Sequence, residues 1–298
     1  MKRDAPTLSQ LRLLVAVADS GGFSEAAANL DLSQSTVSHG VAALEEVLGS
    51  RLFRRERHGA SLTSFGERVL VHARVALKAV EDIQVEAHGE RESLHGVLRV
   101  SCIRSAGVHL LPHLLTALRQ QVPGVQVDVT DDENAVLDGR ADVGILNVRT
   151  SGGLLTWPLG YDEYVALIPT SFAVPARPEW SDLGRLPFIQ GNPKQLCSTE
   201  LREHLALHHV EVTPSYTAEE DSVVISMVSH GLGFAMLPRL AALPLPAGVR
   251  TANLPVPLSR RIVIAVDPRR ASAPLVRRFV EVAQHAARHV LRPAGQAQ

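Results

Sequence analysis

Two breaks near the N-terminus constrain the fold of this chain more than any other feature, because they divide a continuous helical pattern into three short helices. Apolar residues recur at helical spacing over residues 8–18, and the Gly21-Gly22 pair ends this first helix. Ser24 is the expected N-cap of a second helix, and Ser33 is the expected N-cap of a third. The pattern therefore predicts a small domain of three packed helices.

The third helix has a polar surface near its N-terminus. Val37, Val41 and Leu44 form its predicted buried edge, whereas Gln34 and Ser38 face outward. Two short helices joined by a tight turn, with such a surface on the second, are typical of a helix-turn-helix, whose second helix enters the major groove of DNA. We therefore predict a DNA-binding unit.

An arginine-rich segment and a long helix follow. Residues 51–63 are predicted to form a short hairpin, or wing, that turns at His58-Gly59. Thr63 or Ser64 then caps a helix that reaches about Gly89. This helix carries a heptad seam, a row of apolar positions spaced alternately by four and three residues: Val69, Ala73, Ala76, Val80, Ile83 and Ala87. The seam predicts dimerisation through this helix, and packing of the helix onto its own domain is the alternative.

From about residue 94 the pattern changes to short runs rich in valine and isoleucine, separated mostly by helical segments. This alternation predicts an α/β domain with parallel, doubly wound sheets. A crossing between two lobes is expected near Tyr164 to Pro169. The predicted strands are residues 97–103, 125–130, 143–146, 163–169, 187–189, 234–237 and 262–266.

Composition narrows the class of protein. A chain of 298 residues is too long for one ordinary core, and a formal net charge of -1 offers no overall support for nucleic-acid binding. The segment 51–57 nevertheless has a local positive charge, because it contains a single glutamate, Glu56, and four arginines: Arg51, Arg54, Arg55 and Arg57. The two cysteines are far apart without metal-ligand spacing, and neither a secretory signal nor a transmembrane run is visible. These features predict a cytoplasmic protein without a disulfide framework, a metal site or a membrane partner.

The segment from Gly22 to Ser38 carries a specific resemblance, because it specifies residue types across both helices and the turn between them. It resembles the signature of LysR-type transcription regulators. Looser similarity to the effector domain of that family lies at residues 110–112, 139–142 and 231–238. Further positions of the signature are Leu44-Glu45, Leu48-Gly49, Leu52-Phe53, Leu62-Thr63 and Gly66.

The resemblance implies an all-α winged helix-turn-helix with a long linker helix, and then an α/β effector domain like the periplasmic binding proteins, with two Rossmann-like lobes around a ligand cleft. Two departures, Gly40 inside the third helix and His58 in the wing, concern DNA affinity rather than fold. The expected ranges are 1–63 for the DNA-binding domain, 64–92 for the linker and dimerisation helix, and 93–298 for the effector domain, with lobe I at about 93–166 and 267–291 and lobe II at about 167–266.

Candidate DNA contacts follow from the helix-turn-helix and the wing. A glutamine can bond an adenine edge in a bidentate way, short hydroxyls bond phosphates or bases, and arginines contact phosphate. A merely solvated helix surface is the alternative. The predicted DNA-binding residues are Gln34, Ser35, Thr36, Ser38, His39, Arg55 and Arg57.

Candidate effector contacts come from positions that match the family pattern and from the loop at residues 101–107, which follows the first strand of the α/β domain. Arg104 beside a helix start can bind a carboxylate or a phosphate, so the predicted effector is a small anion. The alternative is that the Arg104 side chain points into water. The predicted effector-binding residues are Arg104, Ser105, Thr130, Cys197 and Ser198.

The resemblance further implies a double-stranded DNA operator, RNA polymerase as a further candidate partner, and a homodimer or homotetramer, with no cofactor. A redox-sensing regulator that uses Cys197 is one alternative, because a helix N-terminus lowers a thiol pKa. A solute-binding protein is the alternative from another class. Catalytic motifs are not found in the sequence, and residues 131–133 are interpreted as a solvated helix start rather than as catalytic carboxylates.

Overall fold

The structure is a computed structural model of the chain, and it describes residues 5–55, 60–89 and 96–291. The N-terminal part has the predicted order of three short helices, a two-stranded wing and a long helix. The predicted turn of the wing at His58-Gly59 lies outside the described residues. The elements are α1 (Leu8–Ser20), α2 (Phe23–Asn29), α3 (Gln34–Leu48), β1 (Phe53–Arg55), β2 (Ala60–Leu62) and α4 (Ser64–Gly89).

The helix caps predicted for the N-terminal part are present at Ser33 and Thr63, with one exception. Ser33 caps α3 as predicted, because its hydroxyl accepts from the backbone N–H of Thr36 at 3.1 Å. The predicted cap at Ser24 is wrong: the N-cap of α2 is Gly22, which makes no side-chain cap. Phe23 is drawn into the first helical position by its edge-on contact with the ring of Phe53, whose centroid lies 5.5 Å away.

Gly40 in α3 lies against α1, where there is little space for a side chain. A Cβ on Gly40 would lie 2.2 Å from Cδ1 of Leu13, so the glycine lets α3 approach α1 closely. Its helix-propensity cost of about 1 kcal/mol is therefore offset by contact between the two helices. The departure at Gly40 therefore has a packing reason, and its effect on DNA affinity stays a prediction.

The core of this domain also takes in the start of the long helix. Leu14, Val37 and Leu44 are fully buried, and Leu70 and Ala73 of α4 belong to the same cluster. Burial of one such leucine contributes about 1.5–3 kcal/mol. The first turns of α4 are therefore part of the small domain rather than a free linker.

The C-terminal part is an α/β domain, as predicted. Two strands that the sequence pattern did not indicate, β8 and β10, are present. No helix within the described ranges is both long and apolar enough to cross a membrane. The elements are β3 (Gly96–Cys102), α5 (Arg104–His109), α6 (Leu111–Gln121), β4 (Val125–Thr130), β5 (Val143–Asn147), β6 (Leu155–Pro169), α7 (Trp180–Leu183), β7 (Phe188–Gln190), α8 (Leu196–Leu207), β8 (Pro214–Thr217), α9 (Asp221–Ser229), β9 (Ala235–Pro238), α10 (Arg239–Ala242), β10 (Val249–Asn253), β11 (Ser259–Val266) and α11 (Pro274–Ala286).

The main sheet has the strand order β10-β6-β11-β5-β3-β4, with β9 also paired to β6. Strand β3 is parallel to β4 and β5, whereas β6, β9, β10 and β11 pair antiparallel. The expectation of wholly parallel sheets is therefore wrong. The physical reason is that no α-helix lies between β5 and β6 or between β10 and β11, so neither β6 nor β11 is reached through the helical crossover that parallel pairing requires.

Strand β6 passes from one lobe to the other near the predicted point. Its residues up to Glu163 pair with β11, and from Tyr164 onward they pair with β9 and β10. Because β11 also pairs with β5, the chain has already returned to lobe I by Ser259 rather than at residue 267. The numerical division into domains otherwise stays a prediction.

Candidate DNA interface and effector cleft

The N-terminal surface of α3 is exposed and rich in hydroxyls. The Ser33 hydroxyl lies 2.8 Å from that of Ser35 and 2.7 Å from that of Thr36. Gln34 and His39 are exposed beside them, whereas Ser38 is half-buried. The helix thus presents one amide, one imidazole and a hydroxyl cluster, all of which can bond base edges or phosphates.

The wing is fixed to α3 through Glu45, whose carboxylate sequence reasoning did not single out. Glu45 is buried and accepts from the backbone N–H of Leu52 at 2.8 Å and from Nη1 of Arg51 at 2.8 Å. Arg55 contributes its backbone to β1, but its side chain and all of Arg57 lie outside the description. Phosphate contact by these two arginines stays a prediction.

A cleft of about 470 Å³ lies between the two lobes. Lobe I contributes the start of α5, the segment after β4, the end of β5 and the start of β11. Lobe II contributes the start of α8, the start of α9 and the end of β9. The carboxyl ends of the parallel strands β3, β4 and β5 point to this cleft, which is where open α/β sheets bind ligands.

The structure brings three of the five predicted effector residues into the cleft, namely Arg104, Ser105 and Cys197. Thr130 is not part of the lining, and its hydroxyl accepts from the backbone N–H of Asp132 at 3.2 Å. Ser198 lies on another cavity, inside lobe II.

Arg260 is the cleft residue that sequence reasoning missed. Its guanidinium is buried, donates to Asp162 Oδ2 at 2.8 and 3.0 Å, and donates to the hydroxyl of Ser105 at 2.6 Å. Burial is the main influence on Asp162 and raises its pKa, against the charge of Arg260. Strand alternation places Arg260 on the same side as the buried Ile262, and that signal was available in the sequence.

Arg104 lies at the cleft edge rather than in its interior. Its side chain is 55% exposed, is ion-paired with Glu220 of lobe II, and lies 3.7 Å from Asp131. Helix α5 that follows has only six residues. The guanidinium that suggested an anion in the sequence is therefore already engaged by carboxylates of the chain.

Carboxylates are more numerous than cations in the cleft lining. The segment after β4 is a turn rather than the expected helix, and it directs its acidic run toward the cleft. Burial raises the pKa of Glu133 and of Asp221, although the charge of Arg260 opposes both shifts. The four acidic residues are Asp131, Asp132, Glu133 and Asp221, against Arg104, Lys194 and Arg260.

Two further contacts join the lobes. Arg149, after β5, donates from Nη1 to Glu203 of α8 at 2.8 Å. Asn147 donates to Oε1 of the buried Glu200 at 2.8 Å, and the hydroxyl of Tyr164 donates to Oε2 of the same carboxylate at 2.7 Å. Lobe I therefore contacts α8 through Arg149, which also lies 3.9 Å from Oε1 of Glu200, and through one buried hydrogen bond from Asn147.

Both cysteines have raised pKa values. Burial is the main cause for Cys197, and burial raises the pKa of Cys102 to about 12. The lowering expected for Cys197 from its helix start is therefore outweighed by desolvation. Burial therefore disfavours the thiolate on which the redox alternative depends, and that alternative stays a prediction.

The predicted seam on α4 divides into two parts. Val69 and Ala73 pack into the core of the N-terminal domain, whereas Ala76 and Val80 are half-buried and Ile83 is 68% exposed. The alternative of packing onto its own domain applies to the first part, and only the second part is free to meet another helix. Its dimeric role stays a prediction.

Comparison with known proteins agrees with this geometry. Residues 8–67 match the family model of the bacterial regulatory helix-turn-helix protein of the lysR family, and residues 91–288 match that of the LysR substrate binding domain. The chain belongs to the LysR family of transcriptional regulators. It pairs a DNA-binding helix-turn-helix with an effector-binding domain.

Relatives of this LysR-type regulator extend over its whole length. It is 40% identical over 289 residues to the probable HTH-type transcriptional regulator LrrA of Synechococcus elongatus, which covers 95% of this chain and 98% of the relative. A full-length OxyR variant from Pseudomonas aeruginosa has a similar structure, with a TM-score of 0.74, 25% identity, and coverage of 95% of this chain and 98% of that one. Full-length CbnR complexed with target DNA has a TM-score of 0.64 at 21% identity, covers 94% of this chain and 99% of its own, and shows the fold alone.

Proposed function

We propose that this LysR-type regulator reads its operator through the N-terminal surface of α3, while the wing arginines hold the phosphate backbone. The observation that carries this proposal is the exposed Gln34 beside the hydroxyl cluster at the start of α3, because an amide can discriminate adenine from other bases. Arg55 and Arg57 would add affinity without sequence preference.

Selection of bound fragments from a random DNA pool tests this role. We expect Gln34→Ala to weaken the selected site by about 1–3 kcal/mol while it leaves binding to random DNA nearly unchanged. Arg55→Ala should weaken both and reduce the salt dependence. Glu46→Gln, at an exposed position on the same helix, serves as the control. An equal loss on both kinds of DNA for Gln34→Ala would contradict base reading.

We infer further that the effector occupies the cleft between the lobes. The lining favours a small zwitterion over a simple anion, because Glu133 and Asp221 offer acceptors for an ammonium group while Arg260 and Ser105 lie at the lobe I wall. A ligand that contacts both lobes changes their arrangement only through different affinities for the two states.

A thermal-shift screen with matched sets of carboxylic acids, amines and amino acids tests the class of effector, since a ligand stabilises the folded state by mass action. We expect the largest shifts from amino acids. Asp221→Asn should abolish the shift, whereas Glu219→Gln, an exposed neighbour outside the cleft lining, should retain it. A shift from simple acids that survives Asp221→Asn would favour the anion instead.

The remaining features of the proposed regulator rest on family membership. Oligomerisation as a dimer or tetramer would place two helix-turn-helix units on spaced half-sites. RNA polymerase is a proposed partner for activation, and the cytoplasm is the proposed site of action because the operator is there. The relatives are regulators rather than enzymes, and we propose no catalytic step for the cleft carboxylates.

A further inference from the structure

Lobe II contains a cavity that is larger than the interlobe cleft. Its volume is about 700 Å³, compared with about 470 Å³ for the cleft. It lies between α8 on one side and strands β7, β8 and β9 on the other. Small-molecule sites commonly have volumes of about 300–1,000 Å³, so the space suffices for an organic molecule of one or two rings.

The chemistry of the cavity differs from that of the cleft. Phe188, Leu201 and Met236 are buried core residues whose surfaces form part of its wall, and Val212 adds to it from the segment after α8. The cleft is lined by four carboxylates, whereas Glu211 is the one acidic residue on this cavity. An uncharged and largely apolar molecule therefore matches the cavity better than it matches the cleft.

Local backbone structure fixes both ends of the segment that forms one wall of the cavity. At the end of α8, His209 has a φ of 54°, a left-handed conformation that glycine adopts more readily. The turn is closed by the backbone N–H of Val210, which donates to the carbonyl of Leu205 at 2.9 Å. The chain then enters β8, which pairs with β7. Backbone hydrogen bonds therefore set the position of this wall at both ends.

The cavity is connected to lobe I through a short chain of hydrogen bonds. Tyr164 lies on the cavity wall and donates to Glu200, which in turn accepts from Asn147 of the cleft lining. Cys197 and Pro238 line both spaces, so the cavity and the cleft are neighbours at the start of α8. An occupant that moves α8 would therefore change the contact between the lobes.

We propose that the cavity between α8 and strands β7, β8 and β9 is a second ligand site, separate from the interlobe cleft, for an uncharged and largely apolar small molecule. The site modulates the contact between Glu200 and Asn147 rather than replacing the cleft effector. The proposal stands independently of the charge class assigned to the cleft.

The test uses the full-length protein and prodan, an uncharged two-ring fluorophore whose emission shifts to the blue in apolar surroundings. We expect saturable binding of one molecule per chain. Val212→Trp fills the cavity from a partly exposed wall, so it should weaken prodan binding at least about tenfold. Val223→Trp is the matched control, because Val223 is 48% exposed on α9 and lies outside both linings.

Two further variants keep the test decisive. Thr213→Phe, at an exposed position of the lining, should reduce binding in the same way if Val212→Trp fails to fold. Asp221→Asn removes a cleft carboxylate and should leave prodan binding unchanged, which separates this site from the cleft effector.

Absent or unsaturable binding in the wild type, or equal binding by Val212→Trp and wild type, would overturn the proposal. Binding seen only when sedimentation shows dissociated chains would also overturn it, since another copy of the chain would then cover the cavity. For the coupling, saturating prodan should change wild-type affinity for the selected DNA, and Glu200→Gln should bind prodan without that change. No change in the wild type would refute the coupling.

Discussion

At the residue scale, Gly66 shows how closely the wing approaches the first turn of α4. A Cβ at this position would lie 2.2 Å from the carbonyl oxygen of Leu52, a backbone atom that no rotamer change can move. Alanine has a better helix propensity by about 1 kcal/mol, but overpacking costs about 1–3 kcal/mol. We expect Gly66→Ala to lower the free energy of unfolding in chemical denaturation.

The control for this prediction is Gly152→Ala, because nothing lies within 4 Å of a Cβ there. The control should be neutral within about 0.5 kcal/mol. Equal unfolding midpoints for the two variants would show that the wing shifts freely and that the close approach has no energetic weight.

Also at this scale, the raised pKa of Cys197 predicts slow thiol chemistry. Because burial disfavours the thiolate, the alkylation rate with iodoacetamide at pH 7 should lie well below that of the unfolded chain. The rate should keep rising with pH beyond the point at which a free thiol levels off. Cys102, with a pKa of about 12, should react more slowly still.

Mass spectrometry of the labelled protein measures both rates, and labelling in denaturant gives the reference. The DNA footprint should be the same before and after mild peroxide treatment. A rapid reaction at Cys197 that reaches its plateau below about pH 8 would restore the redox alternative.

At the element scale, α4 changes from buried to exposed along its length. Val69 and Ala73 bury into the N-terminal domain, while Ile83 is exposed about three turns after the last core residue. We expect glutamate at both Val80 and Ile83 to yield monomers in sedimentation, because two buried charges at a helix seam are not offset by a partner. Loss of the dimer should also remove tight binding to DNA with two half-sites.

Val108→Glu is the control for this prediction, since Val108 is a 59% exposed apolar residue on α5, away from the seam. The Val108→Glu variant should have the same oligomer mass in sedimentation as the wild type. A double variant that keeps the wild-type mass would mean that α4 packs against another part of its own chain.

At the scale of the whole molecule, two ion pairs bridge the lobes at the surface of the cleft: Arg104 with Glu220, and Arg149 with Glu203. Exposed pairs contribute only about 0–1 kcal/mol each, so Arg104→Ala with Arg149→Ala should scarcely change the melting temperature. The lobes should nevertheless separate more often. Backbone amides of β6 and β11 at the crossing should then exchange hydrogen about two- to fivefold faster.

Arg278→Ala provides the matched control, because Arg278 forms a similar exposed pair with Glu281 inside α11. Hydrogen exchange of the β6 and β11 amides at the crossing should be the same in Arg278→Ala as in the wild type. Unchanged exchange in the double variant would show that these two ion pairs do not hold the lobes together, because other contacts such as the hydrogen bond from Asn147 to Glu200 suffice.

Local patterns in the sequence sufficed for the N-terminal domain. The cap at Ser33, the polar start of α3 and the break at Gly21 act within one or two helical turns, so their consequences are visible without the fold. The runs of valine and isoleucine likewise predicted most strands of the C-terminal domain. The predicted crossing near Tyr164 lies where β6 changes its pairing from β11 to β9 and β10.

The character of the cleft depended on contacts that no local pattern contains. Arg260 reaches the Ser105 hydroxyl across 155 residues of sequence, and Arg104 meets Glu220 across 116. Whether a charged side chain faces an anionic ligand or a carboxylate of its own chain depends on which strands and helices become neighbours. The sequence alone therefore determined the family, the domain order and the exposed polar start of α3. Only the tertiary structure decided that Arg104 is already paired, that Arg260 lies in the cleft, and that desolvation raises the pKa of Cys197, because charge pairing and burial are properties of the packed chain.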